Sequence, residues 1–229
     1  AAAPRDLTGS GIVALDPLSG AVLPWSANLA FTGGSALPSV TGIATSPGRL
    51  YLSGLFTHAG GDARTNFAVL DPATGVALPP TLLAAGGYLG APVVAGNRVY
   101  VTASCRTFLY EVCAYDLDLV PLPGWTFPFS NVILGPLAAS DTGVFATYRS
   151  FDFPFTERTV KLDPATGVEV AWPAVTTTGG VDVLTVAGGR VYFAGRFTAV
   201  NGQERTRLAA VDAASGALDP WAPLVGAAV

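Results

Sequence analysis

Few side chains in this chain are of types that do chemistry, and their spacing limits what they can do. Cys105 and Cys113 are its two cysteines. In a hairpin turning about Leu109, the pairs 105–113, 106–112 and 107–111 face each other, a register that brings two Cβ atoms within disulfide reach. The alternative is two buried free thiols. The disulfide is the favoured reading; on chain-entropy grounds it stabilises by about 2–3 kcal/mol, and it points to an oxidising compartment. No metal centre is expected, because one histidine and no Cys-x-x-Cys spacing make no ligand set.

That histidine, His58, sits beside Ala59-Gly60-Gly61-Asp62 and reads as a solvated turn residue before a catalyst. With a single histidine no Ser-His-Asp set is convincing, and no glycine-rich phosphate loop precedes a helix. No catalytic residue and no cofactor is assigned. A glycosidase-like carboxylate pair stays open at this level, although the charged residues fall mainly in hairpins and strand ends. Arg149, Asp152, Glu157 and Arg158 share one hairpin; Arg149, Asp152 and Arg158, with His58, are the weak binding candidates.

The elements that must position these residues form a repeat. Asp16, Asp71, Asp116, Asp163 and Asp212 each end a short apolar strand (IVALD, FAVLD, VCAYD, TVKLD, LAAVD), at spacings of 55, 45, 47 and 49 residues. Nine residues after four of them stand Trp25, Trp125, Trp172 and Trp221, which are all 4 tryptophans of the chain; the remaining copy has Pro80. Between Asp and Trp runs Asp-Pro-Leu-Ser-Gly, Asp-Pro-Ala-Thr-Gly or Asp-Ala-Ala-Ser-Gly, in which Asp caps the turn and Gly supplies positive φ. The third copy, Asp-Leu-Asp-Leu-Val-Pro, lacks the glycine and predicts a different turn.

Upstream of each aspartate the strands recur. VDVLTVA, Gly188-Gly189, RVYFAGRFT, the hairpin signal Asn201-Gly202, RLAAVD and ALDPW read as one four-stranded antiparallel sheet. RLYLSGLFT, RVYVTASCR and GVFATYRSF repeat its second strand. A four-stranded unit in about 45 residues predicts an all-β fold, a β-propeller. A single domain over 1–229 is expected, with complete blades at 39–82, 83–126, 127–175 and 176–224 and a partial blade at 1–26. Such a count means an imperfectly closed five-bladed ring or a fragment of a larger propeller; an open ring leaves apolar faces and unpaired edges. The tryptophans are expected to fill gaps between blades, and Arg64 and Arg205, at equivalent positions, to serve as salt bridges or carbonyl clamps.

Composition narrows the partners. Of 229 residues 50% are hydrophobic and 12% charged, which excludes a disordered chain. A net charge of −4, with Lys161 the sole lysine, speaks against nucleic acid. The uncharged stretches 17–48, 72–97 and 119–140 are broken by Pro and Gly, so no transmembrane segment is expected. There is no methionine, and the chain opens Ala-Ala-Ala-Pro; a start after processing, or within a longer protein, is expected.

The copies FAGRFTAVNGQERTRLAAVDAASGALDPW and LSGLFTHAGGDARTNFAVLDPATG resemble a bacterial surface-protein propeller repeat of unknown function. The matching residues are Phe56-Thr57, Gly61, Arg64 and Asp71 in one copy, and Phe197-Thr198, Asn201-Gly202, Arg205 and Asp212 in the other. The Leu-Asp-x-x-Thr-Gly…Trp ending is similar to quinoprotein-dehydrogenase blades. The third and fourth copies depart in the middle, with ASCRTFLYEVC and YRSFDFPFTERT. The resemblance implies an exported propeller, secreted, periplasmic or at the cell surface, without an established activity. The leading expectation is a non-enzymatic interaction or structural module, with a protein partner or the rest of a longer chain beside it. A quinoprotein-like or glycan-processing enzyme is the second. Lectin-like glycan binding, needing Tyr88, Tyr110, Tyr148 and Phe151 exposed near loops, is the third.

Overall fold

The computed structural model describes residues 11–33, 37–79, 90–104, 111–129, 132–150 and 157–223. Pro80, Tyr88, Cys105, Tyr110, Phe151 and Asp152 lie outside these stretches. The described residues are all-β, without a helix. The chain divides into two compact units, 1–92 with 116–120, and 93–115 with 121–229.

In the first unit β1 (Ser39–Ser46), β2 (Arg49–Leu55), β3 (His58–Ala59), β4 (Asp62–Ala63) and β5 (Phe67–Leu70) make up the second repeat. β1-β2-β5 is an antiparallel meander, and β3-β4 is a separate hairpin. The second unit begins with β6 (Val93–Ala95), β7 (Arg98–Ala103) and β8 (Glu111–Asp116), a second meander. The fourth repeat supplies β9 (Val132–Ser140), β10 (Gly143–Ser150) and β11 (Glu157–Leu162). After β12 (Val175–Thr177), the fifth supplies β13 (Val181–Ala187), β14 (Arg190–Gly195), β15 (Ala199–Val200), β16 (Gln203–Glu204) and β17 (Leu208–Asp212).

Two expectations need correction. The fourth strand of each unit shrinks to a single β-bridge across the aspartate turn: Leu15–Val22, Leu70–Ala77, Tyr115–Pro121, Leu162–Glu169 and Val211–Leu218. The tight turn holds the returning segment close for one pair only. RVYFAGRFT is likewise not one strand. β14 stops at Gly195, and the FTAVNGQERT segment swings out as the β15-β16 hairpin, which joins β12 and so extends the sheet of the fourth repeat. RLYLSGLFT breaks the same way after Leu55, and His58 of its hairpin bridges Ala30. Asn201 and Gly202 both take positive φ, 48 and 74°, which gives the hairpin a twist matching its strands.

The core lies between consecutive repeats. Ala27 and Leu29 pack with Leu50, Leu52, Phe56 and Leu70; Tyr100, Val112 and Trp125 with Leu137, Val144 and Leu162; Phe145 and Trp172 with Leu184, Phe193 and Val211. Tyr51 to Ser53 of β2 and Val99 to Ala103 of β7 are buried without a break. β14 alternates instead: Val191 and Phe193 are buried, Tyr192 and Ala194 are not.

Candidate functional site

The residues most distinctive in the sequence sit at the junctions between repeats. At each aspartate turn one carboxylate oxygen accepts two backbone N–H groups. Asp163 Oδ1 takes Ala165 N at 2.9 Å and Thr166 N at 2.8 Å, plus the Thr166 hydroxyl at 2.9 Å. Asp16, Asp71 and Asp212 repeat the pattern. All four carboxyls are held below the usual carboxylate value. The largest cause is the backbone N–H of Ser19 for Asp16 and of Thr74 for Asp71, and the hydroxyl of Thr166 for Asp163 and of Ser215 for Asp212. Asp116 accepts instead from Asp118 and Val120, and its own N–H bonds the fourth residue on, Val120, where Asp71 bonds the fifth, Val76. Leu119 takes φ +58° in that shorter turn.

The turns of the third, fourth and fifth repeats are each gripped by the repeat before them. The Tyr51 hydroxyl donates to Leu117 O at 2.9 Å and the Tyr100 hydroxyl to Pro164 O at 2.8 Å, in each case the residue after the turn aspartate. At the next junction Phe145 replaces the tyrosine. Lys161 Nζ lies 5.6 Å from the Phe145 ring centroid and donates to Ala213 O at 3.0 Å. Trp125 packs on Tyr100 and Trp172 edge-on against Phe145, and each indole then covers the turn glycine of the following repeat. A Cβ on Gly75 would meet Trp25 Cε2 at 3.4 Å, on Gly167 Trp125 Cδ2 at 2.9 Å, and on Gly216 Trp172 Cε2 at 3.2 Å. The exception runs the same way: Pro80 stands at the Trp position of the second repeat, and the third repeat has Leu119 in place of the glycine.

The Phe-Thr hairpins add a further tie. Thr57 N and His58 N donate to Ala30 O, and the Thr57 and Thr32 hydroxyls lie 3.1 Å apart. In the fifth repeat Thr198 N donates to Thr178 O, with the hydroxyls of that pair 3.0 Å apart. Arg64 and Arg205 brace these hairpins: Arg64 on Ala63 O and the Asp62 carboxylate, Arg205 on Glu204 O and Asp219 O. His58 is half-buried here, its Nδ1 3.0 Å from the Thr57 hydroxyl.

Of the fourth-repeat candidates, Arg149 bonds Glu157 Oε2 at 3.2 Å while Glu157 Oε1 accepts Val181 N at 2.9 Å, a strut from β10 to the start of β13. Arg158 is exposed on β11; Asp152 lies outside the described residues. Tyr148, which glycan stacking needs at the surface, is buried against Phe129 with ring centroids 4.6 Å apart. Burial also raises its hydroxyl pKa. Its position on β10 faces the junction core, a placement that aromatic type alone does not reveal. Cys113 is buried on β8, its Sγ 3.6 Å from Ala103 O near the end of β7; Cys105 lies outside the described residues. Among the described residues no three His, Cys, Asp or Glu side chains gather as a metal site, and no helix is long and apolar enough to cross a membrane. Sequence reasoning passed over Lys161 as a junction residue; the signal was that the chain's sole lysine lies in the repeat whose tyrosine is Phe145.

No family model and no curated protein matches the chain. Among solved structures it is similar to the computationally designed Ika4 protein, at 16% identity and TM-score 0.47, over 73% of this chain and 90% of that one. It is similar to the designed Ika8 protein at 14% and 0.43, over 87% and 64%, and to BamB from Moraxella catarrhalis at 18% and 0.43, over 89% and 65%. The chain thus spans just under two thirds of the last two. Likenesses this distant carry no functional argument.

Proposed function

We propose that the chain is a non-enzymatic, exported β-propeller module that works by holding protein partners. One observation supports this reading above the others. The residues whose types suggest chemistry are engaged in building: the aspartates cap turns, Glu157 and Arg149 brace two repeats, and His58 ties a hairpin. What the first repeat leaves outward is apolar, with Val13, Leu15, Val22 and Leu23 each at least 40% exposed, and a contiguous apolar surface is characteristic of interaction sites. A Cys105–Cys113 bridge belongs to this reading: Cys113 is buried where β8 pairs with β7, two residues of chain beyond Ala103 from Cys105. Such a bridge suits secretion, a periplasm or a cell surface.

A second binding face is the exposed side of β11 at Arg158. The test is a photo-crosslinker placed at Arg158 and, separately, at Leu23 on the 229-residue chain, with elemental analysis and an absorption spectrum of the purified protein. Specific protein adducts at either position, without stoichiometric metal or chromophore, support the reading. A bound metal or redox chromophore at one equivalent overturns it.

A further inference from the structure

Asn201-Gly202 is the chain's one Asn-Gly pair; Asn28, Asn66, Asn97 and Asn131 are followed by Leu, Phe, Arg and Val. The hairpin itself does not require an asparagine, since the second repeat makes the corresponding turn with Gly60-Gly61, both at positive φ. What Asn201 adds is its carboxamide. Thr176 N–H, which can only donate, meets Asn201 Oδ1 at 2.9 Å, so that atom is the carbonyl oxygen. The Thr176 hydroxyl donates to the same oxygen at 3.4 Å, and Asn201 N donates back to Thr176 O at 2.9 Å. Thr176 on β12 and the β15-β16 hairpin belong to one compact unit.

Two donors on a carbonyl oxygen draw charge from its carbon and stabilise the oxyanion that forms when a nucleophile adds there. The nucleophile next to Asn201 Cγ in the chain is the backbone nitrogen of Gly202. Both residues are exposed, and a Cβ at Gly202 would meet nothing within 4 Å. Neither a side chain nor a neighbouring segment obstructs the attack.

We propose that Asn201 is a self-modifying site that deamidates in the folded chain, with Thr176 activating its carboxamide. Gly202 N bonds to Asn201 Cγ and gives up its proton, the Cγ–Nδ2 bond breaks, and Nδ2 leaves with that proton as ammonia. Water then opens the resulting succinimide at either carbonyl, giving aspartate or isoaspartate. Aspartate keeps a side-chain oxygen for Thr176. Isoaspartate routes the main chain through Cβ, which lengthens the turn and takes the Val200–Gln203 and Thr177–Val200 pairs out of register. The modification therefore loosens the hairpin by which the fifth repeat extends the sheet of the fourth.

The test incubates the folded 229-residue chain at mildly alkaline pH and follows the tryptic peptide 197–205, bounded by Arg196 and Arg205, by mass spectrometry. That peptide should gain the mass difference between an amide and an acid and resolve into aspartate and isoaspartate forms. Peptides holding the other four asparagines should stay unchanged over the same time. Thr176→Val should slow the reaction several-fold in the folded chain, Thr176→Ser should restore the rate, and all three chains should react alike in urea. Circular dichroism verifies that the variants fold. A folded chain that stays unmodified at Asn201 overturns the proposal. So does a folded Thr176→Val chain that reacts as fast as wild type or faster, because Thr176 would then not activate the amide.

Discussion

The indole of Trp125 lies over Gly167, and a Cβ at that glycine would stand 2.9 Å from Trp125 Cδ2 and 2.3 Å from Thr126 O. Gly167 also holds φ at +77°. Gly167→Ala therefore combines left-handed strain of about 1–2 kcal/mol with overpacking of about 1–3 kcal/mol. Gly20→Ala meets only the first of these, since its surroundings are open. Urea titration should place the Gly167 variant well below the Gly20 variant in midpoint; equal losses would mean that the tryptophan does not press on the turn.

The tryptophans should separate by position. Trp125→Ala and Trp172→Ala empty buried junctions and should each cost about 3–5 kcal/mol. Trp221→Ala, at 42% exposure, should cost far less to the isolated chain. Denaturant unfolding of the three variants, at a protein concentration where the wild type is monomeric, checks this.

The four capped aspartates set an acid limit. Their folded pKa values lie below the usual carboxylate value because the turn donors stabilise the charged form. A group depressed on folding contributes fully above its unfolded pKa, and the contribution is lost as pH falls through the folded one. Stability should be flat across neutral pH and fall below about pH 4. Asp163→Asn keeps an acceptor at the cap without the charge, so its urea midpoint should fall less between about pH 5 and about pH 3 than that of wild type.

Lys161 stands in for a tyrosine hydroxyl. Lys161→Met should cost about 1 kcal/mol through the lost bond to Ala213 O. Adding Phe145→Tyr should recover part of it, because Tyr51 and Tyr100 reach the matching carbonyls from the equivalent position. A double-mutant cycle in urea with no positive coupling would contradict this equivalence.

The cysteines make a separate prediction. Thiol titration of the unfolded, unreduced protein should detect no free sulfhydryl, and reduction should lower stability by about 2–3 kcal/mol. Two titratable thiols would remove the argument for an oxidising compartment.

Much of the scaffold was legible in the order of residues, because its signals are local. An aspartate two and three residues before the N–H groups it accepts, a glycine at positive φ, and Asn201-Gly202 between alternating segments each need only neighbouring chain. The period of Asp16, Asp71, Asp116, Asp163 and Asp212 was legible for the same reason. Glu157 and Tyr148 were not readable in this way, since their partners Val181 and Phe129 lie in other segments.

By itself, then, the sequence determined the turns, the strand repeat and the all-β class, through hydrogen bonds and steric preferences that act over a few residues. Tertiary structure alone decided which surfaces those repeats share. It put the Trp125 indole over Gly167 and the Trp172 indole over Gly216, because burial is a property of two neighbouring repeats and neither one encodes it alone.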